Sequence, residues 1–135
     1  MDPSERLELI MEQLGLLDIL SEDHAIVVEG RKDVESLNNL GIHGEFLMVQ
    51  VSGGPIRIAE SLWNNKSKAV ILTDWDRRGD QLAEDLKRNM DSLLVRYNIE
   101  VRKELAHLCR PLCKDVESLH SVVSLLNSRM NVTAN

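Results

Sequence analysis

Three short apolar runs, at residues 25–30, 46–51 and 68–74, constrain this chain more than any other feature. None alternates apolar with polar residues, so none reads as a strand with one wet face. Runs of this length without alternation suit strands buried on both faces, as in a parallel sheet. Helical spacing follows each run. Residues 32–40 put Val34, Leu37 and Leu40 on one side and stop at Gly41. After Ser52-Gly53-Gly54, Pro55 suits the first turn of a helix that Ile56, Ala59, Leu62 and Trp63 continue. Gly79 lets the chain turn into a further helix, where Leu82, Ala83, Leu86, Met90, Leu93, Leu94 and Tyr97 recur at helical spacings. Ile99-Glu100-Val101 reads as a fourth strand and residues 102–109 as a short helix. A closing helix is expected over 115–130, with Val116, Leu119, Val123, Leu126 and Met130 inward. At the other end, Ser4 is expected to cap a helix over 4–17 that buries Leu7, Ile10, Met11, Leu14 and Leu17.

Strands and helices in alternation predict an α/β fold, a parallel sheet with helices on both faces and right-handed crossovers. At 135 residues the chain is expected to form one domain, with its core over about 25–101 and flanking helices at 4–17 and 115–130. No apolar run reaches the roughly 18 residues of a membrane span, so no membrane partner is expected. The acidic start MDPSERLELI is not a signal peptide. With only two cysteines and no disulfide framework, the expected location is cytoplasmic.

Charge is informative once divided. The whole chain carries −6, but residues 1–30 hold one arginine against eight acids. Residues 87–114 hold seven basic residues (Lys87, Arg88, Arg96, Arg102, Lys103, Arg110, Lys114) against three acids. That segment is either a basic face for nucleic acid or a solvated helix and loop. Only four aromatic residues are present, which argues against a base-stacking platform.

In such folds ligands bind at the carboxyl ends of the strands. Those ends are Glu29-Gly30, Ser52-Gly53-Gly54 and the stretch from Thr73 to Asp76. A carboxylate such as Glu29, ending an apolar strand, is costly to bury without a cation or donors. Asp74 and Asp76 stand two residues apart, so an extended backbone points both the same way. Like charges that close need a cation between them. Hard oxygen ligands suit Mg²⁺, which keeps several waters and accepts phosphate oxygens. Arg77 and Arg78 follow, and with a helix N-terminus they form a phosphate-binding corner. Gly30, Ser52 and Gly53 add backbone N–H groups to the expected phosphate site. Arg31 and Lys32 are further phosphate contacts or solvated helix-start charges.

The segment Ile26-Val27-Val28-Glu29-Gly30-x-x-Asp33, followed by Val70-Ile71-Leu72-Thr73-Asp74-x-Asp76-x-x-Gly79, resembles the Toprim signature. Toprim domains occur in topoisomerases, bacterial-type primases, old-type nucleases, recombination mediators and small maturase ribonucleases. The outer helices resemble those of small standalone archaeal Toprim proteins. The resemblance implies a compact Rossmann-like sheet of order 2-1-3-4, with the first and third strands side by side. It also implies two Mg²⁺ ions, with Mn²⁺ able to substitute. Glu29 would be acid/base and ligand of one ion, Asp74 would bridge both, and Asp76 would hold the second.

Several classes are excluded or disfavoured. Tyr97, the only tyrosine, falls near the end of a predicted helix and is expected in the core, so no topoisomerase nucleophile is offered. There is no GxxxxGK[ST] motif for a P-loop. The set His107, Cys109, Cys113 and His120 has no common zinc spacing, so no zinc is expected. His24 and His43 fall in predicted loops. Trp75 is expected to point away from the aspartates and pack against a helix. The hexapeptide LysAspValGluSerLeu occurs at 32–37 and 114–119 with unlike flanks, and reads as chance. An aspartyl-nucleophile phosphatase is disfavoured because Arg77-Arg78-Gly79 follows the aspartates. The expected function is Mg²⁺-dependent phosphodiester chemistry on RNA or DNA, as nuclease or phosphotransferase. The alternative is a non-catalytic Toprim adaptor for nucleic acid or protein. The sequence sets no oligomeric state.

Overall fold

The computed structural model describes residues 1–134, with side chains through Met130. Four strands form one parallel sheet of order β2-β1-β3-β4. They are β1 (His24–Val28), β2 (Phe46–Met48), β3 (Lys68–Ile71) and β4 (Tyr97–Asn98). The expected order therefore holds, with β1 and β3 as the central pair. Among the described residues seven helices surround them: α1 (Pro3–Leu20), α2 (Arg31–Asn39), α3 (Val49–Ser52), α4 (Pro55–Asn64), α5 (Arg77–Ser92), α6 (Glu100–Cys109) and α7 (Leu119–Ala134).

The period of two along the central strands divides the core. Ile26, Val28, Val70 and Leu72 face a cluster built with Leu14 and Leu17 of α1, Leu105 of α6 and Leu126 of α7. Ala25, Val27, Ala69 and Ile71 face the opposite cluster, with Ile58 and Leu62 of α4 and Leu86 and Met90 of α5. Both faces of β1 and β3 are dry, which is why their sequences do not alternate.

Several local expectations are corrected. Asp2, not Ser4, caps α1, accepting the Glu5 N–H at 2.9 Å. Met11 lies on the exposed side of that helix, and Ile56 and Trp63 on the exposed side of α4. The second apolar run stays extended only to Met48. Val49 then turns back into the α4–α5 cluster as α3 begins, and Gly53 at φ 88° ends that turn. α5 stops at Ser92 although the apolar pattern runs on. The Val95 N–H bonds the Met90 carbonyl at 2.9 Å, while Leu94 takes the left-handed φ of 58° usually held by glycine. Tyr97 consequently sits on β4, and its hydroxyl donates to Asp91 at 2.9 Å. Ile99–Val101 is not a strand. The Asn98 side chain accepts the Val101 N–H at 3.1 Å, and α6 starts at Glu100. α7 begins four residues later than expected, and Val116 is buried in the turn before it. His24 opens β1, with Nδ1 2.6 Å from Asp23 and 3.1 Å from the Leu20 carbonyl. Among the described residues no helix is long and apolar enough to cross a membrane.

Candidate metal centre

Pairing of β1 with β3 sets the ends of those strands side by side. The Leu72 N–H continues the ladder to the Val27 carbonyl at 2.8 Å, and Glu29 and Asp74 then leave the sheet next to one another. Glu29 Oε2 accepts the Asp74 backbone N–H at 2.8 Å. Asp74 Oδ1 in turn accepts the Val116 N–H at 3.0 Å, from the turn before α7. Asp76 caps α5, its Oδ1 accepting the Gly79 N–H at 2.7 Å. Each carboxylate is thus fixed by a main-chain donor. Asp33 reaches back from the first turn of α2 to accept the N–H groups of Gly30 at 3.0 Å and Glu29 at 3.2 Å.

Two of these acids, Asp74 and Asp33, sit where ionisation is opposed. Burial pushes the Asp74 carboxyl up to about 7; the Val116 N–H opposes that rise, and the neighbouring Glu29 and Asp33 add to it. Burial likewise raises Asp33 above the ordinary carboxylate value, against the two N–H groups it accepts. Glu29 and Asp33 are 9% and 6% exposed, and neither they nor Asp74 form an ion pair with a described cationic side chain. Hard oxygen donors held together without a partner charge are a donor set that fits a divalent cation. Glu29 and Asp74 meet directly, whereas Asp76 lies on the exposed rim at the head of α5. Among the described residues no three His, Cys, Asp or Glu side chains are already drawn together as a metal cage, and this includes the set from His107 to His120.

Arg102 is a further member, from the basic segment that the sequence left open between a nucleic-acid face and a solvated surface. Its side chain is only 11% exposed. Nε donates to the Thr73 carbonyl and hydroxyl, both at 3.0 Å; Nη2 donates to the Asp74 carbonyl at 2.6 Å and to Asp80 at 2.7 Å. The guanidinium therefore clamps the β3–α5 loop and is spent on the protein itself. Lys87 and Arg88 pair with Glu84 and Asp85 on α5, which further thins the candidate basic face. Trp75 is buried, its indole N–H donating to the Cys113 carbonyl at 2.8 Å and its backbone N–H to Lys114 at 2.9 Å. These bonds fasten residues 113–116 against the aspartate loop.

The span of this arrangement agrees with a family model. The Toprim domain model matches residues 24–118, from β1 through the turn that supplies the Val116 N–H. The chain belongs to the Toprim family. The Toprim match runs past the boundary at 101 expected from the two motifs, and it takes in both Arg102 and Val116. Similar curated proteins are small and archaeal. A UPF0292 protein of Methanosarcina acetivorans is 36% identical over 130 residues, covering 96% of this chain and 90% of the relative. One from Methanosarcina barkeri is 41% identical, covering 90% of this chain and 85% of the relative. One from Methanocaldococcus jannaschii is 37% identical, covering 89% and 94%. A solved structure of a protein from Aquifex aeolicus superposes with a TM-score of 0.67 at 21% identity, covering 81% of this chain and 96% of that one, which supports the fold alone.

Within this Toprim frame the remaining phosphate candidates separate. Arg77 and Arg78 are exposed on the first turn of α5 and line a cavity of about 620 Å³ that Glu29 shares. Gly30, Arg31 and Lys32 border a second cavity of about 330 Å³ with Glu29, Asp33, Asp74 and Glu117. Ser52 and Gly53 lie at the exposed end of α3, and neither is among the residues lining these two cavities. Gln50, one turn earlier, lines both, and its N–H bonds the Glu29 carbonyl at 3.0 Å. The two copies of the hexapeptide also meet: Lys32 approaches Glu117 at 3.8 Å, and Ser36 accepts the His120 N–H at 3.2 Å, just past the second copy.

Proposed function

We propose that this Toprim protein carries out Mg²⁺-dependent phosphodiester chemistry on RNA or DNA, with Glu29, Asp74 and Asp76 holding the metal. The observation that carries the reading is the Glu29–Asp74 contact at adjacent strand ends, where burial raises the Asp74 carboxyl to about 7 and, among the described residues, no ion pair to a cationic side chain is formed. Bound Mg²⁺, or Mn²⁺ in its place, supplies charge stabilisation for the attacking and leaving oxygens of an in-line displacement. The chain's own groups do the rest. Glu29 accepts or returns a proton beside the reacting phosphate. Asp74 and Asp76 are each anchored by one backbone N–H through Oδ1, and their other oxygens would hold the metal. Arg77 and Arg78 at the head of α5 offset phosphate charge. The reading includes a cytoplasmic location, where such a nucleic acid would be met.

The test is a panel of structured RNA, single-stranded DNA, duplex DNA and supercoiled plasmid with Mg²⁺ or Mn²⁺. Cleavage of one class is expected, with Glu29→Gln lowering turnover by roughly 10²–10⁴ for the proton-transfer role. Asp74→Asn should weaken Mn²⁺ binding and turnover together. Full activity in Glu29→Gln would overturn the assignment. The adaptor reading has its own observation, since Arg102, Lys87 and Arg88 are engaged within the protein and the basic face is reduced. Binding without turnover, unchanged by both substitutions, would favour it.

A further inference from the structure

The larger cavity beside Glu29 has a composition that a bare phosphate site does not require. Its volume of about 620 Å³ falls in the roughly 300–1,000 Å³ range of small-ligand pockets. Arg77 and Arg78 stand at the α5 end. Val49 and Leu82 give it apolar walls. Two amides also line it. Gln81 donates its Nε2–H to Asp85 at 3.1 Å, which leaves its carbonyl oxygen as an acceptor. Gln50 reaches in from α3 and lies over Gly30. A Cβ at Gly30 would stand 2.6 Å from Gln50 Oε1 but 3.6 Å from Nε2. The oxygen is therefore the end turned toward Gly30, and Nε2 is the end turned away, as a donor. Gly30 has an extended backbone, φ −154°, so its lack of a side chain serves this close approach rather than an unusual turn.

We propose that this cavity seats one unstacked nucleotide of a single-stranded nucleic acid, its phosphate on Arg77 and Arg78 and its base edge between the Gln50 donor and the Gln81 acceptor. The inference rests on the phosphodiester reading and specifies the substrate form. A base stacked in a duplex cannot present its edge inside a pocket, whereas a splayed single-stranded base can. Among the described residues no aromatic ring lines the cavity, so Val49 and Leu82 provide the apolar contact that a stacking ring would otherwise give. Glu29 forms part of the same wall, which brings the phosphate next to the seated nucleotide to the acid pair.

The test uses the full chain in EDTA, with AMP, UMP and inorganic phosphate as separate probes and ¹⁵N side-chain amide resonances as readout. Both nucleotides should shift the Gln50 and Gln81 NH₂ pairs along with the Arg77 and Arg78 signals. Phosphate should shift the arginines alone. Gln50→Ala should weaken binding of a short single-stranded oligonucleotide about two- to tenfold, the range for one hydrogen bond. Nucleotides that act only as phosphate does, or a duplex bound as tightly as the single strand, would overturn the proposal. The two readings fail separately. Cleavage lost in Glu29→Gln with silent glutamine amides leaves the phosphodiester reading and removes this one. Amide shifts with no cleavage across the panel do the reverse.

Discussion

Gly79→Ala tests whether the β3–α5 loop is built on close backbone approach. Gly79 lies inside α5, and its φ is not left-handed, so it does not serve the turn its position suggests. A Cβ there would stand 2.0 Å from the Asp74 carbonyl oxygen and 2.5 Å from its carbon, where ordinary contact begins at 3.4 Å. The loop cannot slide away freely. The Gly79 N–H holds Asp76 at 2.7 Å, and its carbonyl accepts the Thr73 hydroxyl at 2.8 Å. Alanine gains about 1 kcal/mol in helix propensity over glycine. Against this stands overpacking of about 3 kcal/mol or more, because the obstacle is main chain. The net loss is about 2 kcal/mol, or a melting temperature lower by roughly 6–10 °C for a domain of this size. Gly15→Ala is the control. Gly15 is exposed in α1, with nothing within 4 Å of a Cβ, so the same substitution should gain about 0.5–1 kcal/mol. Calorimetry on both variants decides it. If Gly79→Ala melts as high as the parent, the close approach at Asp74 is not a constraint and the reasoning fails.

The folded protein holds the Asp74 proton more tightly than the unfolded chain does, with a carboxyl at about 7 against an ordinary 3.8. Unfolding therefore releases a proton between about pH 4 and 7, so this group's contribution to stability declines as pH rises through that window and is level above it. Melting curves in EDTA should show the decline in the parent and a shallower one in Asp74→Asn; parallel curves would count against it. Arg102→Ala strands the Thr73 and Asp74 carbonyls and should lose about 2–4 kcal/mol in denaturant titration; lysine, lacking the fork, should restore only part. The slope of log K against log salt for nucleic-acid binding should become shallower with Arg77→Ala and Arg78→Ala. A slope unchanged by either would remove them as phosphate contacts.

The sheet and its acids were legible because they obey short-range rules. Strands buried on both faces lack alternation, and Glu29, Asp74 and Asp76 follow such strands directly. What escaped the sequence depends on contacts between distant segments. Arg102 looked like one of seven basic residues, and nothing near it in sequence shows that Thr73, Asp74 and Asp80 await it. Gln50 fell inside an apolar run read as strand, and only the turn of α3 brings it over Gly30. Leu93, Leu94 and Tyr97 kept a helical period past the true end of α5, because Leu94 occupies a position that usually announces itself as glycine. Val116 acts through its backbone N–H, which no side-chain pattern reveals.

The three carboxylates draw their anchors from the β3–α5 connection with the first turn of α5, and from the turn before α7. Glu29 is held by the N–H of Asp74, Asp74 by that of Val116, and Asp76 by that of Gly79. The donors are main-chain groups, so their positions depend on where whole segments lie rather than on rotamers. Trp75 and Arg102 fix two of those segments. The indole ties the 113–116 turn to the aspartate loop, and the guanidinium ties α6 to the same loop from within. A core ending at 101 would leave Asp74 without its donor and the loop without its clamp. Burial would still raise the Asp74 carboxyl, and the one bond that opposes the rise would be gone. The C-terminal segment thus keeps Asp74 within reach of ionisation near neutral pH, as the proposed metal-holding role would require.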